Sequence, residues 1–156
     1  MADIGEKLTE AWTQKPLYHF NSIRIYCNNA LSEANRLQTY EAINYAFNKV
    51  KEYLMAICLK RDMLNDQKKE LNEIEICLYG DPESTKTITL WQKYHIYIST
   101  TEYGEKIIHN GLNIVNALYK IFQEISEEAY NNNLIIPLPF ERKSPVERLD
   151  EVLVGS

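Results

Sequence analysis

Four side chains in the second half of the chain could bind a metal ion: His95, Glu102, Glu105 and His109. If this stretch is helical, Glu102, Glu105 and His109 share one stripe, and Glu105 with His109 forms an i, i+4 pair. A step of seven residues is about 10 Å along a helix axis, so His95, Glu102 and His109 are too far apart to share one ion. Glu102, Glu105 and His109 are therefore the candidate ligands, with His95 as a further candidate. A hydrogen-bonded polar layer beside two glycines is the alternative interpretation.

Motifs for other kinds of chemistry are missing from the sequence. There is no Glu-x-x-His of the kind that di-iron bundles use, no G-x-S-x-G nucleophile motif and no glycine-rich phosphate loop. Cys27, Cys58 and Cys77 are odd in number and lie among apolar residues, a pattern typical of buried free thiols in a reducing compartment. The sequence thus predicts no catalytic residue and no cofactor, and it favours a protein that is not an enzyme.

The charge pattern excludes the usual signature of a nucleic-acid binder. The chain of 156 residues has a formal net charge of −5, and its Lys and Arg residues lie beside acidic ones. A nucleic-acid binder normally carries a basic stripe that neutralises phosphates.

No stretch approaches the roughly 20 apolar residues of a membrane span, and residues 1–6 lack the features of a secretory signal. We therefore expect a single-domain cytoplasmic protein that binds neither nucleic acid nor membrane.

The first half of the chain predicts helices separated by short breaks. Residues 3–14 fit a short leading helix with Asp3 as its N-cap, and residues 17–36 fit a second helix with an apolar stripe. A sharp change of direction is expected at residues 37–39, where Thr39 can cap the next helix. From residue 43 to 78 apolar residues follow a heptad rhythm, and no Gly or Pro occurs between residues 39 and 79. This pattern predicts one helix of about 60 Å, with Asn65–Asp66 as the alternative position of a break.

A tight turn and a returning helix are predicted next. Gly80 suits a left-handed position after a helix, Asp81 suits an N-cap, and Pro82 suits the first helical position after it. The heptad rhythm then continues from residue 88 to 129. Residues 87–101 are rich in β-branched and aromatic side chains, and residues 94–98 have a strand as an alternative, but we find no partner strand and favour helix.

The sequence changes character after residue 133. The segment Leu134–Phe140 reads L-I-I-P-L-P-F, which is apolar but contains two prolines, so we expect an extended strap that packs in a groove of its own bundle or of a neighbouring subunit. A short terminal helix is predicted to follow Ser144–Pro145. The predicted organisation is therefore one domain, residues 1–156, with a helical body at 1–133 and the strap with its terminal helix at 134–156.

The heptads at 43–78 and 88–129 and the Y-G-D-P turn at 79–82 together resemble small helical-bundle proteins of unknown function from thermoacidophilic archaea. The resemblance implies an all-α bundle that assembles with copies of itself, and it carries over no functional residue. The predicted fold is an all-α helical bundle built on a long antiparallel helical hairpin. The expected function is a structural or interaction protein that forms a homo-oligomer through apolar helix faces. The alternative is a small-ligand or metal-dependent enzyme with its site near Glu102, Glu105 and His109.

Overall fold

The structure, a computed structural model, describes residues 16–58 and 63–132. This part of the chain contains five helices and one two-stranded sheet, in the order α1 Pro16–Leu37, α2 Tyr40–Ile57, α3 Asn65–Tyr79, α4 Thr85–Tyr94, β1 Tyr97–Thr100, β2 Lys106–His109 and α5 Gly111–Asn131. The predicted all-α helical bundle is confirmed. None of the described helices is long and apolar enough to cross a membrane. The predicted leading helix at 3–14, the strap and the terminal helix lie outside the described residues.

Helices α1 and α2 form the corner that the sequence predicted. Gln38 adopts a left-handed conformation (φ 52°), which ends α1. Thr39 then caps α2, because its hydroxyl accepts a hydrogen bond from the Ala42 backbone N–H at 3.2 Å. Only two residues separate the helices, so α2 folds back against α1. Leu31 of α1 and Phe47 of α2 are both buried in the same core.

The core lies between α1, α2, α3 and α5. Tyr53 of α2 is fully buried; its ring packs 5.5 Å from the ring of Phe122, and its hydroxyl lies 2.8 Å from the Ser126 hydroxyl. Polar contacts at the edge join α3 to α5, including a hydrogen bond from Gln67 to Glu124. The largest fully buried side chains come from α1, α2, α3 and α5: Tyr53, Phe47, Leu31, Ile43, Ile57, Ile74, Leu78, Ile114, Leu118, Ile121 and Ile125.

The predicted continuous helix from Thr39 to Tyr79 is wrong. Helix α2 ends at Ile57, and α3 begins at Asn65, the position given as the alternative break. Leu64 is left-handed (φ 59°), which no residue inside a right-handed helix can be. Asn65 and Asp66 occupy the first turn of α3, where their side chains compete least with helical hydrogen bonds. At 18 and 15 residues, the two helices are about 27 and 22 Å long, so the rods of about 60 Å do not exist.

The turn after α3 is tight for a different reason from the one expected. Gly80 has φ −70°, so it is not left-handed. A Cβ atom on Gly80 would lie 2.5 Å from Thr87 Oγ1 and closer still to the Ile76 carbonyl oxygen, so this glycine is needed for close approach. Asp81 caps no helix; its carboxylate accepts from the Glu83 N–H at 3.0 Å within a turn, and α4 starts after Ser84.

The segment 87–101 is not one helix, and the strand alternative is correct for its second half. Helix α4 ends at Tyr94, and β1 pairs antiparallel with β2, placing Ile98 opposite Ile108. The loop closes through the Gly104 N–H donating to the Thr101 carbonyl oxygen at 2.9 Å, with Gly104 at φ +85°. This is the geometry of a three-residue hairpin loop with a left-handed glycine. The partner strand lies in residues that the heptad pattern had assigned to a helix.

Candidate functional site

The β1–β2 hairpin has one buried face and one exposed face, because side chains alternate along a strand. Ile98 and Ile108 point into the bundle, and each is 7% exposed. The opposite side, here called the outer hairpin face, consists of Tyr97, Ser99, Ile107 and His109. On it the side chain of Tyr97 is 56% exposed and that of Ile107 is 44% exposed. The hairpin therefore presents an aromatic and an aliphatic side chain to solvent.

Contacts with the helices fix the aromatic part of the outer hairpin face. The Tyr97 ring meets the Trp91 ring edge to face, with centroids 5.6 Å apart, and meets the His109 ring at 5.5 Å. Trp91 is almost fully buried and donates its indole N–H to the Cys77 carbonyl oxygen of α3 at 2.9 Å. His109 Nε2 lies 3.1 Å from the Ser99 hydroxyl. Tyr97 and His109 are thus held in place by an anchored tryptophan and by a cross-strand hydrogen bond.

The four candidate metal ligands lie in or beside this hairpin and not on a helix. His95 is the left-handed residue after α4, Glu102 and Glu105 lie exposed in the hairpin loop, and His109 is on β2. The helical spacing that linked Glu102, Glu105 and His109 is therefore wrong, because the chain reverses between them. Among the residues that the structure describes, no group of three or more His, Cys, Asp or Glu side chains is placed to hold a metal ion. The metal-site prediction has lost its geometric basis.

A second concave surface, the α2–α3 groove, runs between helices α2 and α3. It has a volume of about 290 Å³ and is lined by Phe47, Lys51, Leu54, Met55, Cys58, Lys68, Leu71, Asn72 and Glu75. Its floor is apolar, and the Lys51 ammonium pairs with the Glu75 carboxylate across it at 3.2 Å. Met55 on its rim is 68% exposed. A groove of this kind suits an apolar peptide segment better than a charged small molecule.

The only half-buried cysteine in the described residues lies at one end of the groove. The Cys58 thiol donates to the Met63 carbonyl oxygen at 3.4 Å. Burial raises the pKa of Cys58, which outweighs the opposing effect of Lys68, so the group stays a neutral thiol near neutral pH. A neutral thiol is a poor nucleophile. Cys58 therefore helps to line an apolar groove and shows none of the activation that thiol catalysis requires.

A third concavity is acidic. It has a volume of about 530 Å³ between the first turn of α3 and the last turns of α5, and its lining includes Asp66, Glu124, Glu127 and Glu128. Asn131, at the end of α5, and Leu64, just before α3, also line it. Its negative charge repels anionic ligands. Because residues of both helices line it, the end of α5 lies beside the start of α3.

Comparisons of the chain with protein-family models, with curated proteins and with solved structures find no match. The resemblance to archaeal helical-bundle proteins therefore stays a prediction. Among the surfaces of the described residues, the outer hairpin face bears most directly on function, and the heptad pattern of the sequence did not reveal it. Thr101 and Gly104, three residues apart between two β-rich runs, are the local signal that could have revealed it.

Proposed function

We propose that the protein is an interaction module that self-associates through its outer hairpin face. The sequence favours self-association through two rods of about 60 Å with uncovered apolar flanks. The described helices lack such flanks, because they are short and their apolar stripes are buried in one core. The observation that carries the proposal is instead the exposure of Tyr97 and Ile107, at 56% and 44%, on a sheet whose other face is buried.

The chemistry of the outer hairpin face suits contact with an identical face. None of its four positions carries a carboxylate or an ammonium group, so two copies meet without like-charge repulsion. The hydroxyl groups of Tyr97 and Ser99 and the ring of His109 can pair across a two-fold axis, where each contact occurs twice. Because Trp91 already holds Tyr97, little side-chain entropy is lost when Tyr97 becomes buried. Tyrosine is also among the residues enriched at the energetic centres of interfaces.

The size of the surface sets the strength of the expected dimer. Tyr103 at the hairpin tip is 86% exposed, so apolar surface extends along the hairpin beyond the four face residues. A stable interface buries about 1,200–2,000 Å² in total, and a four-residue hairpin face with its tip supplies less than that. We therefore expect a dimer that forms and dissociates with concentration.

Sedimentation velocity over a series from low micromolar to near-millimolar protein tests the proposal. We expect the wild-type chain to shift from monomer to dimer across the series. Ile107→Lys places two ammonium groups across the two-fold axis and is expected to raise the Kd about tenfold or more, equivalent to ~1.4 kcal/mol. The matched control is Tyr26→Lys, at an exposed tyrosine on α1 far along the chain from the hairpin.

Two results would refute the proposal. One is a wild-type chain that stays monomeric at the highest concentration. The other is equal loss of the dimer in Ile107→Lys and Tyr26→Lys, which would show that added charge matters and the position does not. Far-ultraviolet circular dichroism of each variant establishes that it is folded, and both side chains are exposed enough to accept lysine without disturbing the core.

A further inference from the structure

We propose that the α2–α3 groove is the docking site of the strap Leu134–Phe140 from the same chain. This inference does not depend on the hairpin proposal, since it concerns a different surface. The groove offers an apolar floor made by Phe47, Leu54 and Leu71, which are buried at 1%, 4% and 3% exposure. The strap begins two residues after Asn132, the last described residue, and all seven of its side chains are apolar.

The backbone chemistry of the groove selects for such a segment. Both walls are helices, so away from the helix ends their N–H and C=O groups are already bonded within α2 and α3 and few backbone groups are left to bond an occupant. An occupant must therefore bury few unpaired donors of its own. Pro137 and Pro139 have no N–H, which removes two donors from a stretch of seven residues. Lys51, Asn72 and Glu75 at the rim can bond the remaining backbone groups.

The end of α5, from which the chain continues toward the strap, lies near the groove. Asn131 lines the acidic concavity together with Leu64. The residue before Leu64 is Met63, whose carbonyl oxygen accepts the hydrogen bond from the Cys58 thiol at the end of the groove. Asn131 therefore lies near Leu64, and the Cys58 end of the groove lies beside the adjacent residue, Met63. The chain leaves α5 next to the opening that its apolar segment needs.

The lengths also agree. Eight residue steps separate Asn132 from Phe140, and an extended polyproline-like chain covers about 25 Å over that distance. The part of the groove from Cys58 to Lys51 spans seven residue steps along the axis of α2, or about 10 Å, and Phe47 lies about one turn beyond it. Of the roughly 25 Å that the extended chain covers, about 15 Å are left to reach from Asn132 past Leu64 to Cys58. Pro137 and Leu138 are therefore expected near Cys58. A tether this short keeps the effective concentration of the strap high, which favours its own groove over that of a neighbouring molecule.

A disulfide test uses the native Cys58 as its reporter. In the full-length Leu138→Cys variant, mild oxidation is expected to join residues 58 and 138 within one chain in most molecules. Peptide mass spectrometry identifies the bond, and non-reducing electrophoresis shows whether it is within or between chains. Ser156→Cys carries the same number of thiols and serves as the control, expected to cross-link little. Cys27 and Cys77 are fully buried in the native fold and do not compete.

The outcomes decide between occupants. A 58–138 bond within the monomer supports the proposal. A 58–138 bond only between two chains overturns it in favour of a neighbouring subunit, and cross-linking no greater than that of Ser156→Cys overturns docking altogether.

A second measurement tests docking without adding a thiol to the strap. The rate at which N-ethylmaleimide alkylates Cys58 is expected to rise about tenfold when Ile136 and Leu138 are both changed to Ser, because two buried apolar contacts are lost. The matched change of Val152 and Leu153 to Ser is expected to leave the rate unchanged, and equal rates in both variants contradict docking.

Discussion

Two glycines, Gly80 and Gly104, are required for opposite reasons, and substitution should separate those reasons. At Gly80 the backbone φ of −70° suits any residue, but a Cβ would collide with Thr87 Oγ1 and the Ile76 carbonyl oxygen. At Gly104 nothing lies within 4 Å of an added Cβ, but φ is +85°. Alanine is therefore opposed by crowding at the first position and by backbone conformation at the second.

The magnitude at Gly80 follows from two opposing terms. Replacing glycine by alanine in an accessible conformation stabilises a protein by about 0.4–1 kcal/mol, because the unfolded chain loses freedom. Crowding in a packed region costs about 1–3 kcal/mol, and here one of the two atoms is a backbone oxygen that cannot rotate away. We expect Gly80→Ala to lower the free energy of unfolding by about 1–2 kcal/mol, or the melting temperature by about 2–8 °C. At Gly104 the left-handed conformation alone costs alanine about 1–2 kcal/mol.

Asparagine distinguishes the two mechanisms where alanine does not. Asn adopts the left-handed region more readily than other residues with a side chain, so Gly104→Asn should cost clearly less than Gly104→Ala. Gly80→Asn has the same Cβ as alanine and more atoms beyond it, so it should cost at least as much as Gly80→Ala. Urea unfolding followed by circular dichroism gives all four values. A Gly80→Ala variant as stable as wild type, or an asparagine that outperforms alanine at position 80, would refute the crowding argument.

Three further predictions concern buried polar groups and the metal alternative. Tyr53→Phe removes the 2.8 Å hydrogen bond to the half-buried Ser126 hydroxyl and should lower the free energy of unfolding by about 1 kcal/mol in urea titrations; an unchanged value contradicts a stabilising bond. Burial raises the pKa of Cys27 far above its usual value of 9.0, so above pH 9 the unfolded chain loses this proton and the folded chain keeps it. Stability should then fall by at most about 1.4 kcal/mol per pH unit from this group, and Cys27→Ala should flatten the decline in unfolding curves from pH 8 to 10.5. For Glu105→Ala and His109→Ala we expect the same metal content as wild type in elemental analysis of purified protein, and a loss of bound metal in both variants would restore the metal-dependent alternative.

The parts of the fold that the sequence predicted are those fixed by local signals. The apolar stripe of α1, the break at residues 37–39 and the cap at Thr39 each depend on residues within a few positions of one another. Helical periodicity also predicted the second half of the return segment, which is α5. Such features survive folding because tertiary packing reinforces the same apolar faces that the pattern shows.

The features that the sequence analysis got wrong depend on residues that suit two structures. Ile108 fits a heptad with Leu112, and it equally fits a strand opposite Ile98, so periodicity alone could not assign it. The break before α3 was obscured because Leu64 takes a left-handed conformation that is normally marked by Gly or Asn. In both places tertiary packing decides. The helical spacing that grouped the candidate metal ligands is absent, because the helix expected to carry them ends at Tyr94 and a hairpin follows.

The anchoring of Trp91 gives the molecule an internal optical reporter. Its indole is almost fully buried, bonded to the Cys77 carbonyl oxygen, and in ring contact with the half-exposed Tyr97. Emission from such an indole is expected at short wavelength, and excitation energy absorbed by Tyr97 is transferred to it over 5.6 Å. With Trp12 replaced by phenylalanine, the indole emission of the chain would come from Trp91 alone. Any molecule that covers or displaces Tyr97 would then change the light that the protein emits, without a label.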